Sequence, residues 1–245
     1  MTSKNIRKQI ILIFVYLITL CIVLVLSLIF ANIFTIYTRN SSNSSKSQNP
    51  IESVFHPPIH INNNWSDAKT ALICTGSGTY GDPYVIEYYD IEGQRVETGI
   101  FIENTSEYFK IENCSFFSLE IGIRLNNVST GIISNNNFSS NDRGINLYAN
   151  AFNISIIGNN FIKNYEGIRF YISSNSDNNT IINNFFLYQD YCAVEIDDTS
   201  DNNTIYKNYF YYNYPYQVRD HGLNNRWYNR SIGNYWSDYY ETDSF

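Results

Sequence analysis

The sequence predicts an all-β solenoid, a parallel β-helix with coils of about 23 residues, preceded by one transmembrane helix. Three observations carry this reading. The first is a half-repeat that reads Gly99-Ile100-x-Ile102, Gly122-Ile123-x-Leu125, Gly144-Ile145-x-Leu147, Gly167-Ile168-x-Phe170 and Ala193-Val194-x-Ile196. The second is a partner half built on Ile-x-x-Asn-x-Phe, leading from Ile111 to Phe116, Ile133 to Phe138, Ile156 to Phe161, Ile181 to Phe186 and Ile205 to Phe210. Its phenylalanines follow one another at 22, 23, 25 and 24 residues. Periods of this size mark units that bury their apolar faces only against neighbouring units. The third is the apolar run from Ile10 to Ile36, where about 20 residues suffice to cross a bilayer.

Residues 1–9 form a basic stub. Lys4, Arg7 and Lys8 flank the apolar run on its amino-terminal side, which predicts a cytoplasmic amino terminus and an extracellular or periplasmic bulk. The run 10–36 is long for a secretory h-region, and no small-x-small cleavage site clearly follows it. It therefore reads as an uncleaved signal anchor, with a cleaved signal peptide as the alternative. Leu20-Cys21 lacks the small residue that a lipobox requires. Residues 37–58 are rich in Ser, Asn and Pro, cannot build a core, and read as a stalk. Asn40 and Asn43 within it, and Asn64 and Asn104 beyond it, lie in Asn-x-Ser/Thr sequons and are glycosylation candidates.

The β-helix is expected over 59–245, with an amino-terminal cap at 74–93. That cap contains Gly76-Ser77-Gly78-Thr79-Tyr80-Gly81-Asp82-Pro83. It lacks the Gly-Lys-Ser/Thr of a P-loop, and Pro83 blocks a helix start, so it reads as a tight loop closing the open end of the solenoid. In the coils, period-two alternation gives strands with one face inward. Strand pairing sets a rise of about 4.8 Å per coil and turns each repeat position into a ladder along the axis. Ile, Leu, Val and Phe fill the inward ladders. The Gly heading the first strand of each coil serves either φ > 0 or close backbone approach. Asn136, Asn159, Asn184 and Asn208 form a structural polar ladder, with Cys114 in its first slot, whose stacked amides can bond one another and the turn backbone. About eight coils are expected, counted from the repeat, with a carboxy-terminal cap at 224–240.

Cys114 and Cys192 fall about three coils apart, beyond disulfide reach, which leaves buried free thiols as the plainer reading and a Cys74 pairing open. Charged residues make up only 16%, the net charge is −7, and no Lys/Arg stripe is present, which argues against nucleic acid as a partner. A hydrophobic content of 44% argues against disorder.

The glycine-rich cap, the following Tyr89-Asp90-Ile91-Glu92-Gly93 and the Gly-Ile-x-Ile coils lead to two closing motifs: Asn225-Arg226-Trp227, and Ile232-Gly233-Asn234-Tyr235-Trp236-Ser237-Asp238-Tyr239. Over roughly 59–240 this arrangement resembles the NosD-like family of right-handed parallel β-helix proteins, grouped with the pectin-lyase-type fold and frequent among archaeal surface proteins. The resemblance implies a right-handed solenoid. It also implies a link to copper, since the name-giving member is associated with periplasmic copper delivery for nitrous oxide reductase maturation. Copper asks for convergent His, Cys or Met. This chain offers His56, His60, His221 and Met1, and Pro57 and Pro58 keep the first two histidines off a common helix. Asp197, Asp198 and Asp201 cluster in sequence, but the last two fall in a turn. Neither copper nor Ca²⁺ has a legible ligand cluster, and no cofactor is expected.

The residues left over lie on the outward face of the first strand. One row runs Phe101, Arg124, Asn146, Arg169, Glu195, Arg219. The next runs Glu103, Asn126, Tyr148, Tyr171, Asp197, His221. Asp220 falls at an inward position, which leaves the register of the last coil open. Arg169, Glu195 and Arg219 are close enough to pair. Tyr148 and Tyr171 could stack on sugar rings, while Arg124, Arg169, Arg219 and Asp197 could hydrogen-bond hydroxyls, so with Glu195 these seven residues form the expected ligand-binding face. Glu195 and Asp197, about 7 Å apart on one face, are the carboxylates a glycoside hydrolase would use. The sequence thus points to a membrane-anchored extracytoplasmic β-helix with a structural, adhesive or carbohydrate-binding role among cell-surface components. The alternatives are a polysaccharide lyase or hydrolase and a copper-handling protein.

Overall fold

A computed structural model describes residues 53–238. The predicted membrane segment 10–36, the sequons at Asn40 and Asn43 and most of the expected stalk lie outside the described residues. Among the described residues no helix is long and apolar enough to cross a membrane.

The chain winds into a parallel solenoid of three sheets. Sheet one has seven strands, at Ile59–Asn62, Thr98–Thr105, Ile121–Ser129, Arg143–Phe152, Glu166–Phe170, Cys192–Ile196 and Tyr216–Asp220. Sheet two has six, from Tyr84–Glu87 to Thr204–Tyr206, and sheet three has eight, from Val54–Phe55 to Tyr235–Trp236. Six turns are complete and a seventh lacks its sheet-two strand, so the expected eight coils are corrected to about six, of about 24 residues each. The two end segments do not form complete coils. The first complete turn contains a short helix, Trp65–Thr70, that the strand pattern did not suggest. Val54–Phe55, assigned to the stalk from sequence, pairs with Tyr89–Asp90 and starts sheet three.

Register makes the ladders. Ile100, Ile123, Ile145, Ile168, Val194 and Val218 pair in succession, as do Phe116, Phe138, Phe161, Phe186, Phe210 and Trp236. The six rings stack with centroids 4.5–5.0 Å apart and planes within 11°. Of the two roles open to the strand-heading glycines, close approach is the one used. A Cβ at Gly122 would lie 2.6 Å from the Gly144 carbonyl oxygen and 2.7 Å from the Phe138 ring. Only Gly76, Gly78 and Gly158 among the described glycines have positive φ.

The Asn136–Asn208 row is hydrogen-bonded throughout. The backbone N–H and the Nδ2 of Asn136 both donate to Asn159 Oδ1, and Nδ2 also donates back to the Ile111 carbonyl. Asn159, Asn184 and Asn208 repeat the pattern, and Asn234 receives the last rung. Two further corners carry ladders of their own. One runs Asn141, Asn164, Gln189, Asn213 and the other Asn179, Asn203, Asn225. A residue in the left-handed region precedes these ladder positions, as at Asn135, Ser140, Asn178 and Asn183. It turns the chain so that the next side chain points inward at the bend.

Each end is closed by different chemistry. At the amino-terminal end Trp65, 2% exposed, stacks on Tyr84 and Phe109, and its Nε1 donates to Thr105. The glycine-rich loop behind it is tight, since a Cβ at Gly76 would lie 1.9 Å from the Pro83 carbonyl oxygen. At the other end the register holds, with Ile196 paired to Asp220. Asp220 occupies an inward position, where it accepts from Trp227 Nε1, Asn225 Nδ2 and the Gly222 N–H. Gln217 stands where earlier coils carry Gly or Ala, and its side chain bonds Asn213 and Ser237.

Candidate functional site

The outward face of sheet one gathers the predicted stripe on consecutive strands, with Phe101, Arg124, Asn146, Arg169, Glu195 and Arg219 in register. The stripe divides into two networks. The first is a column of planar groups. His60 stacks on Phe101 at 4.8 Å and bonds Glu103 through Nε2. The Arg124 guanidinium lies 5.0 Å from the Phe101 ring and 3.8 Å from the Tyr148 ring, and Tyr148 stacks on Tyr171 at 4.8 Å. Tyr148 reaches this column through a bulge: Asn126 pairs with Ala149 rather than Tyr148, which corrects the second row read from sequence. Both faces of Tyr148 are therefore occupied by protein. Of the two tyrosines expected to receive sugars, only Tyr171, 37% exposed, keeps a ring face beyond the column.

The second network is a chain of charges. Arg143 pairs with Glu166, Glu166 with Arg169, Arg169 with Glu195, and Glu195 with Arg219, which also bonds the Tyr191 hydroxyl. Burial pushes the Glu166 carboxyl above its ordinary range although Arg169 and Arg143 pull it down. The Glu195 charge raises the Arg219 guanidinium. Glu195 is 5% exposed and clamped by both arginines. Asp197 leaves the stripe: it accepts from the Ser174 N–H, the Ser174 hydroxyl and the Thr199 hydroxyl at a corner. The two carboxylates proposed for hydrolysis are thus each committed to protein partners. Arg143 and Glu166 were missed by the sequence reading. Their signal was present, since opposite charges stand one coil apart immediately before Gly144 and Gly167.

Where the two networks meet, two buried polar atoms have no protein partner. They are Asn146 Oδ1, on a residue 1% exposed, and Arg124 Nε in the adjacent coil. Elsewhere, Asn104 is exposed but bonds Asn62 and Asn127 in an outer ladder, and exposed Asn64 accepts from the Asn62 N–H just ahead of the helix. Cys74, Cys114 and Cys192 are free and buried, and burial pushes the Cys114 and Cys192 thiols up to about 12.

A three-sheet parallel solenoid closed at both ends defines the class: an all-β parallel β-helix protein. The chain belongs to the NosD family, whose profile, described as periplasmic copper-binding protein (NosD), matches residues 35–241. No curated protein and no solved structure matches the chain. The donor set of the described residues does not fit the copper of that description. Among the described residues no three His, Cys, Asp or Glu converge, His60 is held by Glu103 and Phe101, and two thiols are buried and protonated.

Proposed function

We propose that this protein is an extracytoplasmic β-helix scaffold, anchored in the membrane through 10–36, that holds cell-surface glycans on the outward face of sheet one without turning them over. The observation that carries this reading is the column of planar groups ending on the open ring of Tyr171, with two unpartnered polar atoms, Asn146 Oδ1 and Arg124 Nε, on the neighbouring strands of the same face. Leaving a buried donor and acceptor unmade costs about 1–3 kcal/mol each, and a hydroxyl, which both donates and accepts, is the kind of group that would offset this cost. The commitment of Glu195 and Asp197 to protein partners favours binding over hydrolysis.

The test is a glycan array with the full chain, alongside Arg124→Gln and Tyr171→Ala. Arg169 is a poorer probe, because its loss would strand Glu166 and Glu195. Specific binding lost in both variants, with no change in the glycan, supports the reading. Binding that neither variant weakens would overturn it. The copper role rests on the family description, and stoichiometric copper retained by the purified chain would restore it over the glycan reading.

A further inference from the structure

The carboxy-terminal end of the solenoid contains a solvent-open cavity of about 820 Å³, remote in sequence from Arg124 and Asn146. It exists because the seventh coil is incomplete: Tyr216–Asp220 and Tyr235–Trp236 have no sheet-two strand between them. Trp236 is the last member of the six-ring stack. One of its faces lies on Phe210 at 4.5 Å, so the surface it gives the cavity is the opposite face and the edge. Trp227, centred 6.0 Å away and inclined at 48°, makes a side wall, and Val218 and Tyr216 contribute apolar lining. Gln217 is already bonded to Asn213 and Ser237. Among the described residues that line the cavity there is no Lys or Arg, and Asp238 is its one acidic side chain.

An apolar ring face, a wall beside it and a polar rim are what a pyranose needs, its C–H face lying on indole and its hydroxyls reaching the rim. The sign of the rim selects among sugars. A carboxylate at the opening repels uronates and accepts hydroxyl or ammonium donors. We infer that this cavity is a second glycan subsite, selective for a neutral or amino-sugar pyranose that adds one more ring to the stack begun at Phe116. The inference does not depend on the sheet-one face.

Tryptophan fluorescence of the full chain tests it, since Trp227 and Trp236 line the cavity while Trp65 is buried at the opposite end. Maltotetraose or an N-acetylglucosamine tetramer should give a saturable change, and a galacturonate tetramer none. Trp236→Ala should weaken binding by about three- to tenfold, the scale of one ring contact. Trp236→Phe keeps a ring on Phe210 and should retain most of it, which separates lost contact from lost folding. Asp238→Arg should admit the galacturonate tetramer. Arg124→Gln should leave the neutral tetramers bound, so this subsite and the sheet-one reading can fail independently. No saturable change with either neutral tetramer would overturn the inference. Equal binding of the galacturonate tetramer by the parent chain, or loss of binding in Arg124→Gln, would overturn it as well.

Discussion

At Gly144 an added Cβ would lie 2.6 Å from both the Gly167 carbonyl oxygen and the Phe161 ring. Both neighbours are themselves wedged between coils, so neither can retreat without moving a second layer. Gly144→Ala should destabilise the protein by about 1–3 kcal/mol, read as a lower urea midpoint. Asn159→Ala acts by the opposite route. It removes the acceptor of the Asn136 backbone N–H and of its Nδ2, and should cost at least about 2 kcal/mol by the same measurement. The buried thiols give a residue-level check that does not depend on stability. In native protein, peptide-resolved alkylation at neutral pH should spare Cys114 and Cys192, whose thiols burial holds near 12, and denaturant should expose both.

Across the elements of sheet one, the charge chain ties strand to strand, and Glu166 within it and Asp197 at the neighbouring corner make stability respond to pH in two separate windows. Burial raises the Glu166 carboxyl from 4.5, so the folded state keeps this proton to higher pH than the unfolded chain does. Its contribution is complete below 4.5 and is lost as pH rises through the raised value. Asp197 behaves in reverse. Burial pushes it up, but hydrogen bonds from Ser200, Thr199 and Ser174 outweigh that and hold it below 3.8, so its contribution is present above 3.8 and lost as pH falls through the lowered value. Urea midpoints measured against pH should lose the decline above 4.5 in Glu166→Gln and soften on the acid side in Asp197→Asn. The legibility of this face follows from its chemistry. Arg124, Arg169, Glu195 and Arg219 could be placed from spacing alone, because strand alternation carries them to one row. Tyr148 could not, since a bulge is a local choice of the backbone that leaves no mark on an Asn-Leu-Tyr-Ala sequence. That Asp197 serves a corner was equally hidden, because its partner Ser174 lies in an irregular loop with no periodic signal.

For the whole molecule, the ladders were readable because each repeats, and the ends were harder because each occurs once. The second amide ladder had a signal too: Asn141, Asn164, Gln189 and Asn213 each stand three residues after a repeat phenylalanine, but Leu119 at its head and Gln189 within it break the run of Asn. The caps carry the solubility of the fold. Trp227 and Trp236 cover the last apolar rung, and Trp65 covers the first. Replacing both Trp227 and Trp236 by Ser should expose Phe210 and the outermost strands. It should convert a species of fixed mass into larger aggregates by size-exclusion chromatography with light scattering, while leaving the β-sheet circular dichroism largely intact.

The asparagine ladder also has a direction. Each rung's main-chain donor is satisfied by the side-chain oxygen of the coil that comes later in the chain, from Cys114 to Asn136 and so on to Asn234. During synthesis, every finished coil therefore waits for the one still to be made, and the order in which donors are satisfied runs against the order in which residues emerge. Each coil is thus completed by its successor, and Asn234 completes only the final rung, that of Asn208.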